Sequence, residues 1–151
     1  MVDSPKHQTI SRLKKLFLKA PSTNASDNFL NSPTKVWPKI KERRKEIIAS
    51  KFASKKGALI IDDTLCYKTG KKMKDIFKNF CHLLKKEVLS HVVVTSVYKT
   101  PKVSMGYDFK VYIPKEIADE FKSKYDLALE IIKDAFGRNL IKRVYMDSWY
   151  C

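Results

Sequence analysis

The sequence contains few cysteines, few acidic residues and no long apolar run. Its three cysteines, Cys66, Cys81 and Cys151, are odd in number, widely spaced and form no CxxC pair. This pattern argues against a structural zinc site and favours reduced thiols. No apolar run has the length that a membrane helix needs, and the N-terminus lacks the apolar core of a signal peptide. These absences predict a cytoplasmic protein that contacts no membrane.

The shortage of acidic residues leaves a large positive charge. The chain of 151 residues holds 31 Lys+Arg against 16 Asp+Glu, a net charge of +15. Such an excess is typical of proteins that bind a polyanion, most often nucleic acid; a soluble basic protein without such a partner is the alternative. Residues 1–56 carry a net charge of +10, and residues 57–151 carry +5. The sequence therefore predicts a basic arm over 1–56 and a more balanced domain over 57–151.

The basic arm is predicted to be partly helical. Residues 12–19 form a short basic helical pattern, residues 21–34 indicate a loop, and a second basic helix follows Pro38. Its isoleucines are expected to dock on the domain, with Arg43 and Arg44 facing outward. Five basic residues of this helix are candidate contacts to nucleic-acid phosphates, with a solvated helix face as the alternative: Lys39, Lys41, Arg43, Arg44 and Lys45.

The domain alternates strand and helix patterns. Apolar or β-branched runs predict strands at 58–61, 88–98, 109–113 and 141–146, whereas residues 73–86 are open between a short helix and irregular structure. Helical spacing between Phe121 and Phe136 predicts a helix that Ser123 and Asp126 cap and Gly137 ends. A helix between strands implies a parallel crossover, so the sequence predicts an α/β fold with a mixed sheet.

Two aspartate motifs follow apolar runs. The run at 58–61 leads into Asp62 and Asp63, and the run at 141–146 leads into Asp147. If the two strands are parallel neighbours, Asp62 and Asp147 project from the same sheet edge. Two-metal phosphodiester chemistry needs carboxylates that hold divalent ions roughly 3.5–4 Å apart, and Mg²⁺ prefers such oxygen ligands. Solvated turn aspartates are the alternative interpretation.

Several segments together resemble one family, the insertion-sequence transposases of bacteria and archaea with a DDE active site. The similar segments, in order, are IIDDT at 60–64 with KTGKK at 68–72, VLSHVV at 88–93, VYIPK at 111–115, FKSKYDLAL at 121–129 and DSWY at 147–150. The resemblance covers the chain from about residue 58 to its C-terminus. It implies a partial RNase H-like fold, in which three antiparallel strands are followed by a helix and a parallel strand, preceded here by the basic helical arm.

The resemblance also implies a function and its residues. The first catalytic acid and metal ligand falls on Asp62 or on adjacent Asp63, which point to opposite faces of a regular strand. The second falls on Asp147, with Mg²⁺ or Mn²⁺ as the cofactor. The implied partners are double-stranded DNA, both at the element ends and at the target, and either a full-length transposase or a second copy of the chain. The implied location is the nucleoid.

The family's third acid, a downstream Glu, has no match in these 151 residues. We therefore expect a truncated domain that carries two of the three acids needed for DNA cleavage and strand transfer. The alternative is a non-catalytic, DNA-binding transposase remnant or regulator.

Overall fold

The structure is a computed structural model, and it describes residues 22, 25, 36–52, 56–68, 74–147 and 150. The predicted helix at 12–19 lies outside these residues. The chain divides into two compact units, Met1–Ile40 and Lys41–Cys151. The predicted boundary between arm and domain at residue 56 stays a prediction. Across the described stretches, no helix is both long enough and apolar enough to span a membrane.

Two helices and five strands follow one another along the described chain. They are α1 (Val36–Phe52), β1 (Gly57–Tyr67), β2 (Phe77–Cys81), β3 (Lys86–Lys99), β4 (Ser104–Tyr112), α2 (Lys124–Gly137) and β5 (Ile141–Met146). The strands predicted at 88–98 and 141–146 and the helix ending at Gly137 are confirmed. Strand β2 falls in the segment that the sequence left open, and β4 begins five residues before the predicted strand.

The five strands form one mixed sheet with β1 inside it. β1 pairs antiparallel with β3 along one edge and parallel with β5 along the other. The far edge of β3 pairs with β4 over Val92–Lys99 and with β2 over Lys86–Ser90. The helix α2 makes the crossover that parallel pairing of β1 and β5 requires. The predicted α/β class with a mixed sheet is confirmed, and the strand order is that of a partial RNase H-like fold.

The helix α2 begins with a capping box and packs by one face. The Ser123 hydroxyl accepts a hydrogen bond from the Asp126 N–H, and the Asp126 carboxylate accepts one from the Ser123 N–H, as the sequence predicts. Its buried side chains recur at helical spacing: Leu127, Ala128, Ile131 and Ala135. Several aromatics of the predicted apolar face are instead exposed, among them Tyr125 and Phe136. Tyr125 and Phe136 therefore lie beside the buried stripe, on one flank of the helix.

The core lies between the helices and one face of the sheet. From β1 it contains Leu59 and Ile61, and from β3 it contains Val94 and Tyr98. The part of α1 that belongs to the second unit contributes Ile48, which is completely buried. Because side chains alternate along a strand, the residues between these core positions project to the opposite face of the sheet. That alternation decides where each acid of the aspartate motifs points.

Candidate functional site

The three motif acids lie at the C-terminal end of the paired stretch of β1 and β5. β1 continues to Tyr67, so the expectation that the first strand ends at residue 61, just before the acids, was wrong. Its pairing with β5, however, stops at Ile61 opposite Met146, and Asp147 follows directly. Asp62 and Asp63 therefore occupy the point where the edge of β1 loses its described partner. The acids of both motifs therefore lie where the pairing of β1 with β5 ends.

The two adjacent acids of β1 point to opposite faces of the sheet. Asp63 is opposite Val94 of the core, whereas Asp62 is opposite Thr95 and is exposed. The Asp62 carboxylate accepts a hydrogen bond from the N–H of Asp63 at 2.8 Å, and the Thr95 hydroxyl donates to the carbonyl of Asp62 at 3.1 Å. The exposed acid is thus held by local contacts.

Asp63 forms an ion pair with the first residue of α2. The Lys124 ammonium lies 2.5 Å from Oδ2 of Asp63, and both side chains are partly buried. The N-cap at Ser123 fixes where α2 begins and so brings Lys124 to the acid. Sequence reasoning did not single out this lysine, although it belongs to the FKSKYDLAL segment that carries the resemblance. Lys124 lies 61 residues after Asp63 in the chain.

Tyr150 connects the two motifs. Its side chain is buried in the core, and its N–H donates to the carbonyl of Asp147 at 3.0 Å. Burial raises the pKa of the Tyr150 hydroxyl to about 12, with further contributions from the negative charges of Asp63, Asp62 and Asp147, in that order. The Tyr150 hydroxyl is therefore near enough to both motifs for their charges to act on it.

The basic residues predicted for α1 do not share one solvated face. Lys39 is exposed, and Arg43 is exposed while pairing with Glu46 at 2.9 Å. Arg44, expected to face outward, is partly buried and donates a hydrogen bond to the carbonyl of Tyr107 at 2.9 Å. That expectation was wrong, because the backbone of β4 offers the guanidinium a buried acceptor.

Lys41 and Lys45 bind acids of the same unit. The Lys41 ammonium lies 2.6 Å from Asp108, and the Lys45 ammonium lies 2.7 Å from Asp108 and 2.9 Å from Asp134. Burial lowers the pKa of Lys45, but hydrogen bonds to Asp108 and Asp134 outweigh it and leave the pKa raised. Lys45 is only 8% exposed, so its charge is directed into the protein in this conformation rather than toward a phosphate.

Comparison with known protein families decides the identity of the chain. Residues 8–151 match the family model described as DDE superfamily endonuclease. The chain belongs to this family. Neither the curated proteins nor the solved structures contain a match to it. For a DDE endonuclease the substrate is DNA, and members of the family typically use divalent metals.

The DDE endonuclease carries a donor set that suits a hard cation. Within residues 36–52, 56–68 and 74–147, together with Ser22, Ala25 and Tyr150, no three His, Cys, Asp or Glu side chains are grouped to hold a metal ion. Mg²⁺ needs only one or two carboxylates when water and substrate oxygens complete its shell. Asp147 directly follows Met146, and the acids of β1 directly follow Ile61, which is paired with Met146, so Asp147 with one acid of β1 supplies such a pair. The residues present therefore fit the metal as a carboxylate pair.

Proposed function

We propose that this DDE endonuclease is a transposase-type enzyme that cleaves a DNA strand at an element end and transfers the resulting 3′ end to target DNA. The observation that carries the proposal is the position of Asp147 beside Asp62 and Asp63, in a chain whose family match spans residues 8–151. Two carboxylates on neighbouring parallel strands are the arrangement that metal-assisted phosphodiester chemistry uses.

Asp147 and one acid of β1 would hold Mg²⁺ or Mn²⁺. The bound metal would polarise the scissile phosphate and make water, and then the 3′-hydroxyl, a better nucleophile. One observation favours Asp63 over Asp62 as the partner of Asp147. Asp63 projects to the side where Tyr150 is buried, and the N–H of Tyr150 donates to the carbonyl of Asp147. Asp62 projects to the opposite, exposed face and remains the alternative.

Lys124 would act as the counterion of Asp63 before metal binds. Its ammonium holds one carboxylate oxygen at 2.5 Å, so the lysine restrains the carboxylate in a fixed direction. If Asp63 holds the metal, Lys124 would no longer be needed as its counterion. Its positive charge would then be available to offset the charge of a phosphodiester at the site.

DNA binding outside the acids would involve exposed basic residues of α1. Lys39 and Arg43 have the exposure that a phosphate contact needs. Lys41, Arg44 and Lys45 would contribute mainly by holding the helix to the protein. A full-length transposase or a second copy of the chain as partner, and association with the nucleoid in the cytoplasm, belong to the same proposal.

The test is nicking and strand transfer on labelled DNA with Mg²⁺ or Mn²⁺. The purified chain is compared with Asp62→Asn, Asp63→Asn and Asp147→Asn, and with Asp119→Asn as a matched change at an exposed acid outside the site. We expect Asp147→Asn and Asp63→Asn to abolish activity, and Asp119→Asn to retain it. If Asp62→Asn rather than Asp63→Asn is inactive, Asp62 is the ligand. Activity retained in all three site variants would contradict the proposal.

A second function is favoured by one specific observation. The ion pair between Lys124 and Asp63 already neutralises a carboxylate that a metal would need. A chain in which this pair persists would bind DNA without cleaving it, as a non-catalytic remnant or regulator. Salt-sensitive DNA binding without nicking in either metal, and with no change in Asp63→Asn, would favour this function over the enzyme.

A further inference from the structure

A groove lies on the face of the sheet opposite the core, at the N-terminal end of β1. Its volume is about 600 Å³, and its wall includes four basic residues and one aromatic: Lys56, Lys99, Lys142, Arg143 and Tyr145. Ile60 forms part of the floor. None of the predicted site residues lines it, so the groove is distinct from the acids and from the basic residues of α1.

The groove is positively charged without local compensation. Lys56, Lys99, Lys142 and Arg143 are all exposed, and none has an ion pair with any residue that the structure describes. The three segments that build it, residues 56–61, 97–107 and 139–146, contain five Lys and Arg and no Asp or Glu. By contrast, the exposed Arg43 of α1 pairs with a nearby acid. An uncompensated cluster of this kind attracts an anion that carries several charges.

The register of the sheet holds the cations in place. Ala58 of β1 pairs with Lys99 on one side and with Arg143 on the other, so both side chains project to the face of Ala58. Two strand spacings separate their backbones by about 10 Å. Gly57 sets the close approach at this point, because a Cβ there would lie 2.5 Å from the Lys99 carbonyl oxygen. The floor of the groove is therefore hydrogen-bonded sheet, with a register shift between Gly57 and Ala58 where β1 meets β5.

Tyr145 adds a surface for a base. It pairs with Ile60 in the register of β1 and β5, and the residue is 51% exposed. An exposed aromatic ring between cations is the combination that single-stranded nucleic acids use, with bases stacked on rings and phosphates held by Lys and Arg. Polyanions without bases offer nothing for this ring to stack against.

We propose that this groove binds the phosphate backbone of a DNA strand that extends away from the acids. Ala58 and Asp62 lie on the same face of β1, and four residues of strand separate them by about 13 Å. At 3.4 Å per nucleotide, a B-form strand covers that distance in about four steps. The groove thus holds flanking DNA rather than the phosphate that reacts. The inference rests on the proposed function in taking DNA as the partner and the acids as the place of reaction.

The test measures DNA binding by fluorescence anisotropy, with the full chain and with EDTA so that no metal contributes. The double variant Lys99→Gln with Arg143→Gln is compared with Lys86→Gln with Lys115→Gln, which removes the same charge from exposed positions outside the groove. Labelled duplex and single-stranded oligonucleotides are titrated over a range of salt concentrations. Thermal unfolding followed by circular dichroism checks that both double variants fold.

Loss of two phosphate contacts lowers the slope of log K against log salt by about 1.8 for duplex DNA and about 1.4 for a single strand. We expect this change in the groove variant and none in the control. We also expect Tyr145→Ala to weaken single-strand binding about fivefold or more. If Tyr145→Ala loses more affinity for the single strand than for the duplex, the groove binds single-stranded DNA. If it loses the same affinity for both, the groove binds duplex DNA.

Equal slopes in the groove variant and the control would overturn the inference, whatever the nicking assay shows. Conversely, a chain that never nicks DNA but shows the changed slope would remove the proposed enzyme activity and keep the groove as a DNA site. The two proposals therefore fail separately.

Discussion

Replacing Lys45 with methionine tests whether ion pairs fasten α1 to the rest of its unit. The change removes an ammonium that lies 2.7 Å from Asp108 and 2.9 Å from Asp134, and it keeps most of the aliphatic stem. Asp108 is only 6% exposed, so its carboxylate has little access to water once Lys45 is gone. The variant therefore leaves a buried negative charge with fewer partners.

The magnitude follows from what remains at each acid. Removing one partner of a buried ion pair costs about 3–5 kcal/mol when the other charge is left uncompensated. Here Asp108 keeps Lys41, and Asp134 keeps Arg138 and the Tyr107 hydroxyl. We therefore expect the low end, about 3 kcal/mol of unfolding free energy. In a domain of this size, such a loss lowers Tm by about 6–12 °C.

The ion pairs of Lys45 also predict how the stability of the protein changes with pH. Burial raises the pKa of Asp108, but hydrogen bonds from Lys41 and Lys45 outweigh it and leave the pKa lowered. A lowered acid pKa gives stability that is present above the unfolded value, near pH 4, and is lost as pH falls through the folded value. The raised pKa of Lys45 gives stability that is present below its unfolded value and is lost at high pH.

The assay is urea unfolding at several pH values, with Lys39→Met as the control on the same helix. Lys39 is exposed, and its substitution should change stability by no more than about 0.5 kcal/mol. The difference in unfolding free energy between Lys45→Met and wild type should be largest near neutral pH and should decrease below about pH 4. Adding Asp108→Asn to Lys45→Met should recover part of the loss. A Lys45→Met variant as stable as the control would refute the reasoning.

Two further predictions concern stability. Gly57→Ala should cost about 1–3 kcal/mol because its Cβ would meet the Lys99 carbonyl oxygen, whereas Gly137→Ala, where a Cβ meets no atom within 4 Å, should be neutral or slightly stabilising in the same unfolding assay. Ser123→Ala should cost about 1 kcal/mol because it removes the acceptor that caps α2, and an undiminished Tm would show that the cap contributes nothing.

Sequence reasoning predicted well where a pattern is local. The β-branched run of β3 and the cap and end of α2 are visible in a few consecutive residues, and the crossover helix was enough to predict parallel pairing. Strand β2 escaped because its five residues are too few to separate a strand from a short helix. The aromatics Tyr125 and Phe136 have helical spacing but lie beside the buried stripe. Apolar spacing alone does not fix which edge of a helix packs.

The sequence predicted where the motif acids lie better than it predicted the contacts around them, and their role as site residues stays a prediction. The motifs led to the correct sheet edge for Asp147, but the extent of β1 beyond its acids depends on pairing with β3. Lys45 looked like one of several outward cations, because the acids that bind it are 63 and 89 residues further along the chain. The basic groove is assembled from three distant segments. Each of these features depends on contacts that no local pattern encodes.

The parallel pairing of β1 with β5 also has a consequence for folding. β3 and β4 join residues as close as Lys99 and Ser104, whereas the pairing of Ile61 with Met146 closes a loop of 85 residues. Long-range parallel pairing forms slowly, because the entropy of closing the loop is lost before contacts compensate it. We expect β5 to join last and to open first. The acids of the two motifs would then come together only in the completed fold, and local opening of β5 would separate them while the antiparallel strands stay paired.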